Sequence, residues 1–279
     1  MYVRERVRLF WARQVTSALQ RLSTNVLREV CIYLDAETLL PFCKSGDFGL
    51  FNVASRETLH YPEAPDFPRG AVLCFIGCFR VMCLGKTTST CILTPTCRQD
   101  SASMAEARYY PGCIHYIHCV YAFGGSSATS CSAEKYSVQE DHWTALPHMN
   151  ASRYAFSPVR HEQSIYLAEV NEASHMLEVF DTVTERFSVL STSLPFAGYS
   201  SIAFISREEL TVVDFTGRRV RMQMQKGADI RKDEVLLSGV ECYSQSVPVL
   251  LGRAVFFSQY KSGETVRFSI DSGVFEVIV

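Results

Sequence analysis

No stretch of the 279 residues approaches the run of about 18 apolar residues that a bilayer-spanning helix requires. An excess of charge is also lacking, with a formal net charge of -2 and a pI near 6.4. That balance excludes nucleic acid or an anionic membrane held by a global field, so any partner is recognised locally. The opening residues Met1 to Arg6 are charged and lack the apolar core and small-residue cleavage site of a secretory signal. The expectation is a soluble, cytoplasmic chain with reduced thiols. Cysteine itself is plentiful, but ordered spacing is missing. The 11 cysteines are scattered from Cys31 to Cys242 and match neither a compact disulfide framework nor paired CxxC zinc ligands, which predicts free and mostly buried thiols.

The common catalytic signatures are absent as well. There is no Gly-x-Ser-x-Gly elbow and no His-Glu-x-x-His, and Gly85-Lys86-Thr87 imitates only the end of a Walker loop. Acid pairs such as Glu208-Glu209 and Asp233-Glu234 read as solvated turns. The densest cluster of ligand-type residues is Cys113, His115 and Cys119 with His118. An extended strand would turn Cys113, His115 and Cys119 to one side, yet no second cluster supplies the remaining ligands of a tetrahedral site. They read as packed core, and neither a metal nor any other cofactor is expected.

What is present is a repeat. Glu134, Tyr136, Trp143 and Leu146 recur as Glu178, Phe180, Phe187 and Leu190 without a gap, each shifted by the same 44 residues. In the same register Val120 to Gly125 answers to Ser164 to Glu169, and an arginine, Arg108 or Arg153, stands where the chain enters each unit. Phe268 and Phe275 repeat the seven-residue aromatic spacing further on, and Arg69 precedes a unit whose strand ends at Gly85. A β-rich unit of this length cannot bury both of its faces alone, so copies must stack on one another. Large aromatics on the outer strands would fill the gaps between neighbouring twisted sheets.

The unit with Gly124-Gly125, Glu134-Lys135-Tyr136, Trp143, Leu146-Pro147 and Met149 resembles the kelch repeat. The resemblance implies an all-β, kelch-type propeller over residues 39–279, working as a protein-interaction scaffold and not as an enzyme. Candidate inner strands near Leu40, Leu84, Phe123, Leu167, Val213 and Phe257 suggest six blades. One of these is incomplete, since the first unit shows no obvious innermost strand. Some proteins of this fold are copper oxidases with histidine and tyrosine ligands. Tyr109, Tyr110, His115 and Tyr116 supply those residue types here, but two full histidine ligands cannot be placed at one mouth.

Residues 1–38 read as an amphipathic helical segment. Apolar residues from Val3 to Val30 fall at spacings of three and four, and residues 1–28 carry six arginines against Glu5 alone. An arginine-rich start of this kind is also what a mitochondrial presequence looks like. Residues 22–40, with Leu22, Val26-Leu27, Val30, Tyr33-Leu34 and Leu39-Leu40, resemble the first half of an F-box. That likeness implies docking to an adaptor of a cullin-type ubiquitin ligase. Ser23 and Asn25 depart from its pattern, and its second half is missing.

Binding needs no motif if turns at one end of a propeller carry it. The turns after the predicted inner strands offer Lys86, Thr87, Ser126, Ser127, Asn171, Glu172, Arg218, Arg219 and Lys261. Arg218, Arg219 and Arg221 could meet an acidic peptide through forked hydrogen bonds.

Overall fold

The computed structural model describes residues 39–44, 47–52, 57–61, 70–77, 80–125, 131–168, 176–191, 201–214, 218–223, 230–234, 248–258 and 264–278. The expected N-terminal helix and most of the F-box-like stretch therefore lie outside the described residues, as does Arg69. Among the described residues every regular element is a strand.

Six antiparallel sheets follow one another along the chain, each built in sequence order. The first has three strands, β1 (Leu39–Lys44), β2 (Asp47–Asn52) and β3 (Glu57–His60). The other five have four each. They are β4 (Val72–Phe75), β5 (Val81–Gly85), β6 (Thr87–Leu93) and β7 (Arg98–Ser101), then β8 (Gly112–Tyr116), β9 (Cys119–Phe123), β10 (Ala133–Ser137) and β11 (His142–Leu146). Next come β12 (Val159–His161), β13 (Ser164–Ala168), β14 (Leu177–Asp181) and β15 (Arg186–Ser191). β16 (Ser201–Ser206), β17 (Glu209–Asp214), β18 (Arg218–Gln223) and β19 (Ile230–Glu234) form the fifth sheet. β20 (Val249–Leu251), β21 (Ala254–Ser258), β22 (Thr265–Ser269) and β23 (Phe275–Val277) form the last.

The sheets fan around an axis as propeller blades. First strands meet first strands where β4 touches β8, β8 touches β12 and β12 touches β16. β1 lies against both β4 and β21, and Ser258 donates its hydroxyl to the buried Pro41 carbonyl at 2.9 Å, so the first sheet closes the ring against the last. The first blade is the incomplete one, as expected. Among the described residues it has three strands, and its β1 lies beside the first strand β4 of the next blade. The predicted inner strands are otherwise displaced by one: Leu84, Phe123, Leu167, Val213 and Phe257 lie on second strands. Second strands are buried on both faces and so give the more continuous apolar runs, which is why they stand out in the sequence.

The core is a set of interfaces between adjacent blades. Val72, Met82, Leu84 and Ile92 of the second blade pack on Cys113, Val120, Tyr136 and Trp143 of the third. Phe123 and Leu146 meet Ile165, Leu167 and Phe180 in the same way at the next interface, and Phe204 and Val213 meet Phe257 and Phe268 further round. The seven-residue aromatic spacing has a direct cause. It makes Tyr136 and Trp143, Phe180 and Phe187, and Phe268 and Phe275 cross-strand partners on the two outer strands of their blades. Their ring centroids lie 5.2, 4.8 and 4.6 Å apart.

Candidate binding surfaces at the two ends of the ring

The repeated arginine and glutamate form buried ion pairs. Arg108 and Arg153 are both 0% exposed and stand in the connections leading into β8 and β12. Arg108 meets Glu134 on β10 at 2.8 Å, and Arg153 meets Glu178 on β14 at 3.0 Å. Two charges are taken out of water at each site, so their remaining hydrogen bonds decide whether the arrangement holds. Arg108 also donates to the carbonyls of Gly124 and Ser132, at 2.7 and 3.1 Å, and Arg153 to that of Met176 at 2.8 Å. Glu134 accepts the Ala105 amide at 2.8 Å, and Glu178 accepts the Asn150 amide at 2.7 Å.

These contacts sit at one place in each blade, the foot of the turn from second to third strand. Gly124 directly follows the second strand of the third blade and Ser132 directly precedes its third, so Arg108 holds both sides of the turn between them. Gly124 donates its amide to Ser132, and Gly125 donates to the Arg153 carbonyl of the next connection, both at 2.8 Å. Gly125 has φ +126, and a Cβ there would lie 3.1 to 3.2 Å from the backbone of Tyr109 and Arg108. In the second blade Gly85 and Lys86 take the corresponding positions, and the Lys86 amide donates to the Arg108 carbonyl. Lys86 accordingly adopts φ +64, a conformation that favours glycine.

Of the residues singled out in the sequence, Lys86 and Thr87 are exposed at this end. Ser126, Ser127, Asn171, Glu172 and Lys261 lie outside the described residues; each falls in a stretch bracketed by the second and third strands of a blade. Arg218 and Arg219 differ from expectation. They open the third strand β18, in register with Glu234 and Asp233, and so do not stand on a turn. Arg219 reaches the Ile270 carbonyl of the neighbouring blade at 3.5 Å.

The predicted facing of Cys113, His115 and Cys119 is corrected too. A two-residue turn at Ile117 and His118 sets Cys119 opposite Tyr116, while Cys113 pairs with Ala122. Cys113 therefore packs in the interface with the second blade, and Cys119 lies against the opposite one. The Cys113 thiol hydrogen-bonds that of Cys74, and this contact together with burial raises the Cys74 pKa well above its usual value. Glu208 pairs with His161 at 3.1 Å, and Glu209 accepts from Gln223 at 3.2 Å. Tyr109 and Tyr110 stack edge to face on each other at 4.3 Å.

The opposite end of the ring holds a cavity of about 560 Å³, to which all six sheets contribute; Pro41, Phe75, Tyr116, Arg160, Ile205 and Leu250 are among its lining. His115 also faces it, and burial, followed by Arg80, His118 and Arg160, pushes its pKa down to about 4. Neither this cavity nor the arginine clamp was anticipated as a feature. The clamp did leave a signal, an acid recurring inside an apolar strand in register with an arginine that opens the unit.

Comparison with known proteins agrees with this geometry. Residues 107–150 match the Kelch motif, the stretch that holds Arg108, Gly124-Gly125, Glu134, Tyr136 and Trp143. That unit is a kelch repeat. A solved structure described as "Structure of YjhT" superposes with a TM-score of 0.59 at 11% identity, over 77% of this chain and 85% of that one. At that identity the likeness is one of fold, and the fold is a kelch-type propeller. No curated protein matches the sequence. Among the described residues no helix is long and apolar enough to cross a membrane.

Proposed function

We propose that this kelch-type propeller is a protein-interaction scaffold, and that its turns from second to third strand carry the contacts. The observation that supports this most strongly is the arginine clamp. Arg108 spends three hydrogen bonds on the two feet of one turn and on Glu134, at the cost of burying an ion pair. Pinned feet present a variable polar turn without the entropic cost of ordering its base on binding. The turns differ from blade to blade in length and composition, from Lys86 alone in the second blade to residues 169–176 in the fourth. Unlike turns on like anchors, as in the third and fourth blades, are the arrangement a surface for one specific partner needs.

Lys86, Thr87, Ser126, Ser127, Asn171, Glu172 and Lys261 are the proposed contact residues, and a protein or peptide is the proposed partner. The test is affinity purification of the full chain beside two variants, one with residues 126–130 and one with residues 171–175 replaced by Gly and Ser. A partner recovered by the parent chain and lost from either variant at unchanged melting temperature is the expected result. Equal recovery by all three, or no specific recovery by any, contradicts the reading.

A further inference from the structure

We infer that the cavity on the axis, at the end opposite these turns, is a binding site for a small carboxylate with an apolar body. A volume of about 560 Å³ falls within the range of about 300 to 1,000 Å³ typical of small-molecule sites, and is too small for a folded partner. The wall is mostly aliphatic and aromatic, with Arg160 its single charged residue and no acid among the lining residues. Arg160 lies over the Tyr116 ring at 5.0 Å. A guanidinium over a ring keeps N–H groups free to grip a carboxylate in a fork.

Among the described residues no carboxylate lies within ion-pair distance of Arg160 or Arg80, and Glu208, an acid on the neighbouring blade, is already engaged by His161. Arg80 carries a buried Nε with no hydrogen-bond partner, and it presses on His115 together with His118 and Arg160. Arg160 is thus the one charged group on the wall of an otherwise largely apolar chamber, which favours a single anionic group on a greasy ligand. Ile117 adds apolar surface at the mouth, since it lines the cavity and is 63% exposed.

The probe is 2-naphthoate, titrated by calorimetry into the full chain beside its uncharged analogue 2-naphthamide. Saturable binding of one naphthoate per chain is expected, with the amide about tenfold weaker or worse, the loss that follows from removing a charge-assisted hydrogen bond. Arg160→Gln should weaken naphthoate by a similar factor without moving the melting temperature, since this side chain is exposed. Thr96→Ala, on an exposed turn away from the cavity, should leave it unchanged. The inference is overturned if naphthoate does not bind saturably, if acid and amide bind alike, or if Arg160→Gln binds as the parent does. Because these readouts ignore the turns, they stand or fall separately from the scaffold reading.

Discussion

At Gly125 and Lys86 one backbone requirement meets two different residues. Gly125 sits at φ +126 with backbone atoms 3.1 Å from where a Cβ would be, so Gly125→Ala is both conformationally strained and crowded. A loss of about 2 to 3 kcal/mol in chemical denaturation is expected. Lys86 already carries a side chain at φ +64. Lys86→Gly should therefore be neutral or stabilising by up to about 1 kcal/mol, because relief of strain offsets the extra entropy of the unfolded chain. Equal destabilisation by both changes would mean that the two positions are not equivalent.

His115 adds a pH dependence at the same scale. Its pKa is about 4 in the folded chain against 6.5 unfolded, so between those values the unfolded state binds more protons. Stability is then fully present above the unfolded pKa and falls as the pH drops through that window, by up to about 3 kcal/mol from this residue. Replacing His115 with Gln should flatten the pH dependence of the melting temperature between about 6.5 and 4. An unchanged slope would place the imidazole in water.

The blade is the next scale, where outer-strand aromatics and clamps work between neighbours. Trp143 stacks on Tyr136, and its indole N–H donates to the Ala102 carbonyl of the preceding blade at 2.9 Å. Trp143→Ala should cost about 3 to 5 kcal/mol in urea unfolding, and a change within about 0.5 kcal/mol would contradict its burial. Glu134→Gln leaves Arg108 charged, buried and without its counter-ion, and a loss of about 3 to 5 kcal/mol is expected. Glu178→Gln should behave alike in the following blade.

The repeat could be read from the chain because its cause is local. Tyr136 and Trp143 lie seven residues apart as cross-strand partners around a short turn, and the same count returns in two other blades. What the sequence did not disclose depends on contacts distant along the chain. Arg108 and Glu134 are 26 residues apart, and nothing local says that the two charges meet out of water. The displacement of the inner strands has a similar origin. First strands such as β12, with burial only at Val159, carry a weaker apolar signal than β13 behind them. Cys119 faces away from Cys113 because the turn at Ile117 interrupts the alternation of one continuous strand.

The whole molecule is a ring whose two ends are built differently. One end anchors unlike turns on buried ion pairs, and the other opens into a chamber shared by all the sheets. Both rest on the same device, a blade that cannot be stable without the next one against it. The most direct measurement is native-state hydrogen exchange at the amides of Gly124 and Gly125 in the full chain. If the clamp holds the foot of the turn as rigidly as a strand, these amides exchange as slowly as those of Val120 and Phe123 on β9, and Glu134→Gln speeds them selectively. Fast exchange at Gly124 and Gly125 beside a protected β9 in the parent chain would show that the turns are not pinned, and the account of a rigid binding end would fail.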